Sequence, residues 1–357
     1  MKKQCILFVM LNLPILILTC LYMQGCRNIY VEAYMDKSLD DISCIAKKSN
    51  KPFCIVLVDS CQELSKEYSS YLHNDYKYLL NKSIYNFVNI RSLENEWYLK
   101  WLCPVSIPLT CVFSSNGKLI DLIPGAAKET FLYTQLALEN RRITEYHWPN
   151  RFNINKTEVV SLLDSTLLHK NLLKQGVYIK SELQRISNSL HYPYTEYLQL
   201  MGELKENDTL QAQCVAKKML EFESSYNLDL YKQEFITAKR VVDPNFDIEN
   251  EPTIEINKNL IYLYDCEVSK NVSFDIPIFN KGNKPLEIFA IHTSCSCLEQ
   301  LNYMTKDKLF INRHDSIVLK FSFTANSSEE IYRDVFINSN AINIPIFHIT
   351  VIANSKK

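Results

Sequence analysis

The densest potential chemistry in the chain lies near its C-terminus. His292, Cys295 and Cys297 offer one imidazole and two thiols within six residues. Soft ligands at this density suit Cu(I) or Zn. A structural zinc site wants four ligands, so a remote group such as Cys266 or His314 would have to complete the set. The competing expectation is structural. His292 follows Leu286, Ile288 and Ala290 in alternation and is expected to face a core. A Cys295–Cys297 disulfide is expected to be strained, because an extended Cys-x-Cys pair approaches the Cα separation limit of about 7 Å. A second thiol, Cys61, follows an apolar run. It is flanked by Asp59 and Glu63, whose negative charge opposes thiolate formation.

Composition narrows what these residues can serve. The chain has 357 residues, twelve of them cysteine and only six glycine. An average composition would supply roughly 25 glycines. No G-x-G-x-x-G, G-x-x-x-x-G-K-[ST] or G-x-S-x-G occurs, so the backbone chemistry of dinucleotide, P-loop and serine-hydrolase sites is missing, and no cofactor is expected. The formal net charge is −1 with no dense Lys/Arg stretch, so nucleic acid is not expected as a partner. Hydrophobic residues at 47% against 22% charged mark a folded chain, and the length allows two or three domains. Nine cysteines follow Cys26, an odd number at irregular spacing that does not read as a disulfide framework. Cys54 and Cys111 lie within apolar runs and are expected to be small buried residues.

The N-terminus sets the expected compartment. Lys2 and Lys3 precede an apolar stretch from Cys5 to Met23, interrupted by Asn12 and Pro14, and Gly25 then precedes Cys26. This is the layout of a secretory signal over 1–25. Gly25-Cys26 resembles a bacterial lipobox, which implies that Cys26 carries a lipid after cleavage. An uncleaved anchor or a plain signal are the other readings. All of them place the rest of the chain outside the cytoplasm, on the periplasmic or outer-membrane side of a bacterial envelope.

Residues 26–148 alternate strands and helices. Strands are predicted at 51–58, 87–91, 109–113 and 119–123. Helices are predicted around Leu64, Tyr68 and Leu72, at 95–103, and from Lys128 to Arg141. Asn116-Gly117 marks a hairpin. The order of Lys51-Pro52 before a strand, Cys61 at the next turn, Val105-Ser106-Ile107-Pro108 before a strand, Asn116-Gly117-Lys118 and a closing Gly125 resembles the thioredoxin family. That resemblance implies an α/β domain with Pro108 as a cis-proline beside the active-site loop and Cys61 as the attacking cysteine. Leu64 stands where the family has its resolving cysteine, and the family's buried acid is missing from Phe53-Cys54-Ile55-Val56. A C-x-x-C dithiol cycle is therefore excluded at this site.

Residues 149–247 are expected to be helical, with amphipathic segments at 159–174, 177–190, 193–205, 208–223 and 228–241. Tyr197, Leu198, Met201, Gly202, Ala212 and Ala216 resemble one tetratricopeptide-type unit, a repeat of about 34 residues. An irregular helical connector is the other reading, and His169, His191 and Cys214 are read as structural.

Residues 252–357 change to a period of two. Seven strands are predicted, at 259–265, 272–279, 286–291, 308–311, 317–323, 331–337 and 344–352, which suits a β-sandwich. Pro277 and Pro345 suggest edge strands or bulges. Asn280-Lys281-Gly282 with Pro285-Leu286, then Ser294-Cys295-Ser296-Cys297, then Ser339-Asn340 resemble an Ig-like domain of unknown function from bacterial envelope proteins. That family is related to the hydin and abnormal-spindle type of Ig fold, and its motif has Gly where this chain has Ser296. The resemblance implies architecture and address, without a reaction.

The expectation from these features is a lipid-anchored envelope protein that binds or scaffolds an envelope protein partner, more a non-enzyme than an enzyme. The alternatives are a monothiol redox or thiol-sensing protein acting through Cys61 beside Pro108, and soft-metal binding through His292, Cys295 and Cys297.

Overall fold

The computed structural model describes residues 33–141, 152, 154–303, 308–327 and 329–356. The signal segment and Cys26 lie outside the described residues. The chain divides into two compact units: the described residues of Met1–Asn95 and Ser106–Trp148, and those of Glu96–Val105 and Pro149–Lys357.

The first unit runs β1 (Tyr34–Met35), α1 (Leu39–Ser49), β2 (Phe53–Val58), α2 (Glu63–Asn74), α3 (Lys77–Lys82) and β3 (Ile84–Asn89). The chain leaves this unit as α4 (Glu96–Leu102) and re-enters it as β4 (Leu109–Phe113), β5 (Leu119–Pro124) and α5 (Lys128–Leu138). The sheet order is β1-β3-β2-β4-β5. β1, β3 and β2 are parallel, whereas β4 runs antiparallel to β2 and β5. Every residue of β2 and β4 is buried, the mark of central strands covered on both faces. Cys54, Val56 and Val58 pack with Tyr68, Leu72, Leu79 and Phe131 in one core cluster. Phe53 stacks on Phe113 with ring centroids 4.7 Å apart. The β4–β5 hairpin closes at Gly117, whose φ of +81° is a left-handed conformation that a side chain would oppose. Burial pushes the Cys54 thiol up to about 12, which leaves it a packing residue.

The second unit gathers α4 with six further helices among the described residues: α6 (Lys156–Lys174), α7 (Lys180–Leu190), α8 (Pro193–Lys205), α9 (Thr209–Leu220), α10 (Ser225–Leu230) and α11 (Lys232–Val242). Side chains of Asn155, Asp208 and Ser224 cap α6, α9 and α10 by accepting backbone N–H groups. Pro193 opens α8 in the first turn, where its missing N–H costs nothing. Ala212 and Ala216 are fully buried, whereas Gly202 lies under the Tyr178 ring. Although α4 falls within the range read from sequence as the first domain, it packs among these helices. Trp101 is fully buried and its indole donates to the Leu163 carbonyl at 2.9 Å. The Lys170 ammonium sits 3.1 Å from the centroid of the Trp97 ring.

The same unit ends in two β-sheets. β6 (Ile254–Glu255), β8 (Asn271–Asn280), β12 (Ser316–Thr324) and β10 (Leu298–Gln300) form one, in the order β10-β12-β8-β6. β7 (Leu260–Glu267), β9 (Leu286–Thr293), β11 (Leu309–Ile311), β13 (Glu330–Ser339) and β14 (Ile346–Lys356) form the other, in the order β11-β9-β13-β14-β7. Ile276, Ile278, Leu319, Phe321 and Phe323 interdigitate with Leu286, Ile288, Val335, Ile337, Ile349 and Val351 in one core. Pro277 is tolerated because β6 pairs only with Phe279 and Asn280, leaving that side of β8 open beyond them.

Candidate functional site

The turn that carries Cys61 is organised by a side chain from the end of β2. The Asp59 carboxylate accepts the Cys61 N–H at 2.9 Å, and the Asp59 N–H donates to Ser65 Oγ at 3.0 Å. Arg91, 32 residues further on, donates to both carboxylate oxygens of Asp59, from Nε at 2.6 Å and Nη2 at 3.0 Å. Asp59 is therefore a paired charge and not the bare negative charge its sequence position suggests. The Arg91 hydrogen bonds hold its carboxyl below the ordinary aspartate value of 3.8, against the opposing effect of burial. A depressed carboxyl contributes stability at neutral pH, and that contribution is lost as pH falls through the folded-state value below 3.8. In Arg91→Gln the Asp59 carboxyl is expected to titrate at a higher pH than in wild type, as read by carboxyl-carbon NMR. Identical titrations in wild type and variant would show that the pair does not hold the charge.

Cys61 is exposed, and so is Leu64, at 52%. The Ile107–Pro108 peptide bond is cis, and the Pro108 carbonyl accepts the Gly125 N–H at 2.8 Å. Leu57 pairs with Leu109, so the register sets Pro108 level with Val58, at the end of the sheet from which the Cys61 turn leaves.

The C-terminal candidates part company in the structure. Between β9 and β10 the chain bends and turns through Ser294–Cys297, and Cys295 and Cys297 are joined in a disulfide. The expectation of an over-stretched pair is corrected. The turn contracts the Cα separation to 5.2 Å, inside the usual disulfide range. The loop is tied down by Ser294, whose N–H donates to the Asp334 carbonyl at 2.9 Å and whose Oγ accepts the Asp334 N–H at 2.8 Å. The Cys297 carbonyl accepts the Thr324 N–H at 2.9 Å. Arg333, 36 residues away in sequence, donates from Nε to Cys297 Sγ at 3.2 Å.

His292 does not face the core. Ala290 pairs with Asn338 and Ile288 with Ser339, so Phe289 is an extra residue in the β9 ladder. One inserted residue reverses which side chains point inward. Ile291 therefore packs against the core, while His292 is exposed opposite Phe336, whose ring stacks on His348 at 4.8 Å. His292 thus stands outside any set with the two cysteines, which as a disulfide carry no thiolate. Among the described residues no group of three or more His, Cys, Asp or Glu side chains converges as a metal site.

The remaining motif residues of this domain are consumed by backbone hydrogen bonding. Asn280 is fully buried. Its Oδ1 accepts the Gly282 N–H at 3.0 Å, and its Nδ2 donates to the carbonyls of Lys284 and Ile311 at 2.8 and 3.0 Å. Asn340 Oδ1 accepts the Glu287 N–H at 2.8 Å, and the Asn340 N–H returns to the Glu287 carbonyl at 3.0 Å. The Ser339 N–H donates to the Pro345 carbonyl at 2.8 Å. These residues knot β8, β9, β11 and the approach to β14 at one end of the sandwich. Residues 254–351 match DUF1573, a family described as protein of unknown function.

Solved structures with partial similarity to this chain include three of low identity. A protein of unknown function from Porphyromonas gingivalis W83 is 19% identical with a TM-score of 0.26, over 31% of this chain and 50% of that one. PapD-like domain 7 of human CEP192 is 7% identical with a TM-score of 0.26, over 32% of this chain and 90% of that one. Oxidised thioredoxin from Plasmodium falciparum is 15% identical with a TM-score of 0.25, over 31% of this chain and all of that one. This chain spans half the length of the Porphyromonas protein. No curated protein is significantly similar to the chain.

Sequence reasoning missed Arg91 and Arg333. Neither belongs to a local motif. Each reaches its partner only because a neighbouring strand brings it there.

Proposed function

We propose that this chain is a bacterial envelope protein, held to a membrane by a lipid on Cys26. Its thioredoxin-like unit, helices and DUF1573 domain serve as surfaces for binding or scaffolding an envelope protein partner. The observation that carries the non-catalytic part is the Cys61 turn. An exposed thiol stands there with Leu64, not a second cysteine, in the first turn of α2, so the C-x-x-C route for resolving a mixed disulfide is missing. The Cys295–Cys297 disulfide supports an oxidising compartment. The hydrogen-bonded use of Asn280, Ser339 and Asn340 supports a structural role for the DUF1573 motif.

The anchor is tested by labelling cells with radioactive palmitate. Wild type is expected to incorporate label and Cys26→Ala to lose it and leave the membrane fraction. Label retained by the variant overturns the anchor. An amine-reactive crosslinker applied to the same cells is expected to trap the same partners in Cys61→Ser as in wild type. Adducts lost in Cys61→Ser would assign the work to the thiol instead.

A further inference from the structure

We propose that Cys295–Cys297 is a thiol-exchange site that oxidises a dithiol, with Cys295 as the sulfur attacked and Cys297 as the sulfur that leaves. The proposal rests on the DUF1573 domain alone and is independent of Cys26 and Cys61. A disulfide bridging positions two apart closes a very short loop. The stabilisation a cross-link contributes grows with the length of the loop it closes, so stapling gives this bond little to do.

Its surroundings are asymmetric. Arg333 donates Nε to Cys297 Sγ at 3.2 Å and Nη1 to the Tyr332 carbonyl at 2.8 Å, which holds the guanidinium in place. Guanidinium stays charged at any physiological pH, and a sulfur beside it carries developing negative charge at lower cost. Thiol–disulfide exchange is faster when the departing thiol is the more acidic one, so the bond is polarised toward release of Cys297. The loop is fixed from both sides by the Ser294–Asp334 backbone pair and by the Thr324 N–H on the Cys297 carbonyl. A shallow cleft of about 450 Å³ opens at Ser296, with Ile291 and Leu298 as its apolar wall and Gln300 as a polar edge. Glu299 also lines it, so a neutral or basic segment carrying the dithiol suits it better than an acidic one.

The step balances without a further reagent. One thiolate of the dithiol attacks Cys295 Sγ. A new S–S bond forms, the Cys295–Cys297 bond breaks, and its electron pair stays on Cys297. The second thiol of the dithiol, deprotonated, then attacks its own partner sulfur in the mixed disulfide and expels the Cys295 thiolate. The dithiol loses two electrons and two protons and becomes a disulfide. Cys295 and Cys297 gain them and become two thiols.

The test uses the full-length oxidised protein with reduced glutathione as the monothiol probe and dithiothreitol as the dithiol probe. Samples are quenched in acid at early times, alkylated and mapped by mass spectrometry, which separates this pair from the exposed Cys44, Cys61 and Cys214. Expected are a glutathione adduct on Cys295 with alkylation on Cys297, and full reduction without an adduct by dithiothreitol. Arg333→Gln is expected to slow both reactions about tenfold, and Arg333→Lys to retain most of the rate. An adduct predominantly on Cys297, no reaction with either probe, or equal rates in Arg333→Gln and wild type would each overturn the proposal. The adduct position is read on wild type, so a poorly folded variant does not shield it.

Discussion

Gly282→Ala is expected to destabilise the DUF1573 domain by at least about 3 kcal/mol, the upper range for overpacking a tight core. A Cβ on Gly282 would sit 2.1 Å from the Glu251 carbonyl oxygen, 2.7 Å from the Thr253 nitrogen and 2.8 Å from the Pro252 Cα. All three are backbone atoms, so no side-chain rotation relieves the clash. The segment they belong to enters the sandwich as β6, and it is held there from two directions. Lys281 donates its N–H to the Thr253 carbonyl at 2.8 Å, and Asn343 brackets Ile254, accepting its N–H at 3.0 Å and donating to its carbonyl at 2.7 Å. Moving that segment away would strip these bonds, and holding it in place would displace Gly282 from the Asn280 side chain. Either route weakens the knot around Asn280, whose buried amide would be left partly unsatisfied. Calorimetry of the full chain should show the affected transition moved down by roughly 10 °C or more, or absent. A midpoint within about 2 °C of wild type would mean that the close approach is not a constraint.

Trp101→Ala is expected to cost the helical part about 3–5 kcal/mol. The side chain is fully buried, its ring lies 5.7 Å from that of Trp97, and its indole N–H donates to the Leu163 carbonyl. Removing it leaves a void and takes a second donor from the Leu163 carbonyl, which keeps its partner within α6. The effect extends to how α4 ends. A seven-residue helix has its last carbonyls unpaired within itself. Here the Tyr231 hydroxyl donates to the Lys100 carbonyl at 2.8 Å, and the Tyr192 hydroxyl donates to the Trp101 carbonyl at 2.7 Å. The Lys100 ammonium meets the Glu234 carboxylate at 3.0 Å in a mostly buried pair. Trp101→Phe keeps a large ring but loses the N–H, so it should cost a smaller share, about 1–3 kcal/mol. Urea unfolding followed by far-UV circular dichroism would separate the two variants. A Trp101→Phe variant as stable as wild type would show that the indole bond to Leu163 contributes nothing.

Much of this architecture is written in local pattern. The unbroken apolar run of β2 reads as a central strand. Asn116-Gly117 reads as the hairpin, and the strict alternation of β8 and β12 reads as a sandwich. Helices α6 to α9 announce themselves by period, and α8 also by Pro193 in its first turn. The elements that escaped are those with thin signals. In α1 only Ile42 and Ala46 are buried, too narrow a stripe to stand out. β6 and β10 are two and three residues long, shorter than any period can show. The DUF1573 motif was visible as residues, but its purpose was not. Asn280 serves carbonyls of Lys284, Ile311 and Asn312, and two of these lie more than thirty positions away.

The sequence by itself determined most of the order of strands and helices, the missing second cysteine beside Cys61, and the motif that joins the last hundred residues to a family. Those properties depend on nearest neighbours along the chain and on periods of two or 3.6, which backbone geometry imposes whatever the rest of the molecule does. Tertiary structure alone decided how the chemistry-bearing side chains are used. One extra residue in the β9 ladder turned His292 out to solvent. A turn drew Cys295 and Cys297 close enough to bond. Strand pairing carried Arg91 to Asp59 and Arg333 to Cys297. Charge acts through space over a few ångströms, and only the folded chain sets which residues come that close.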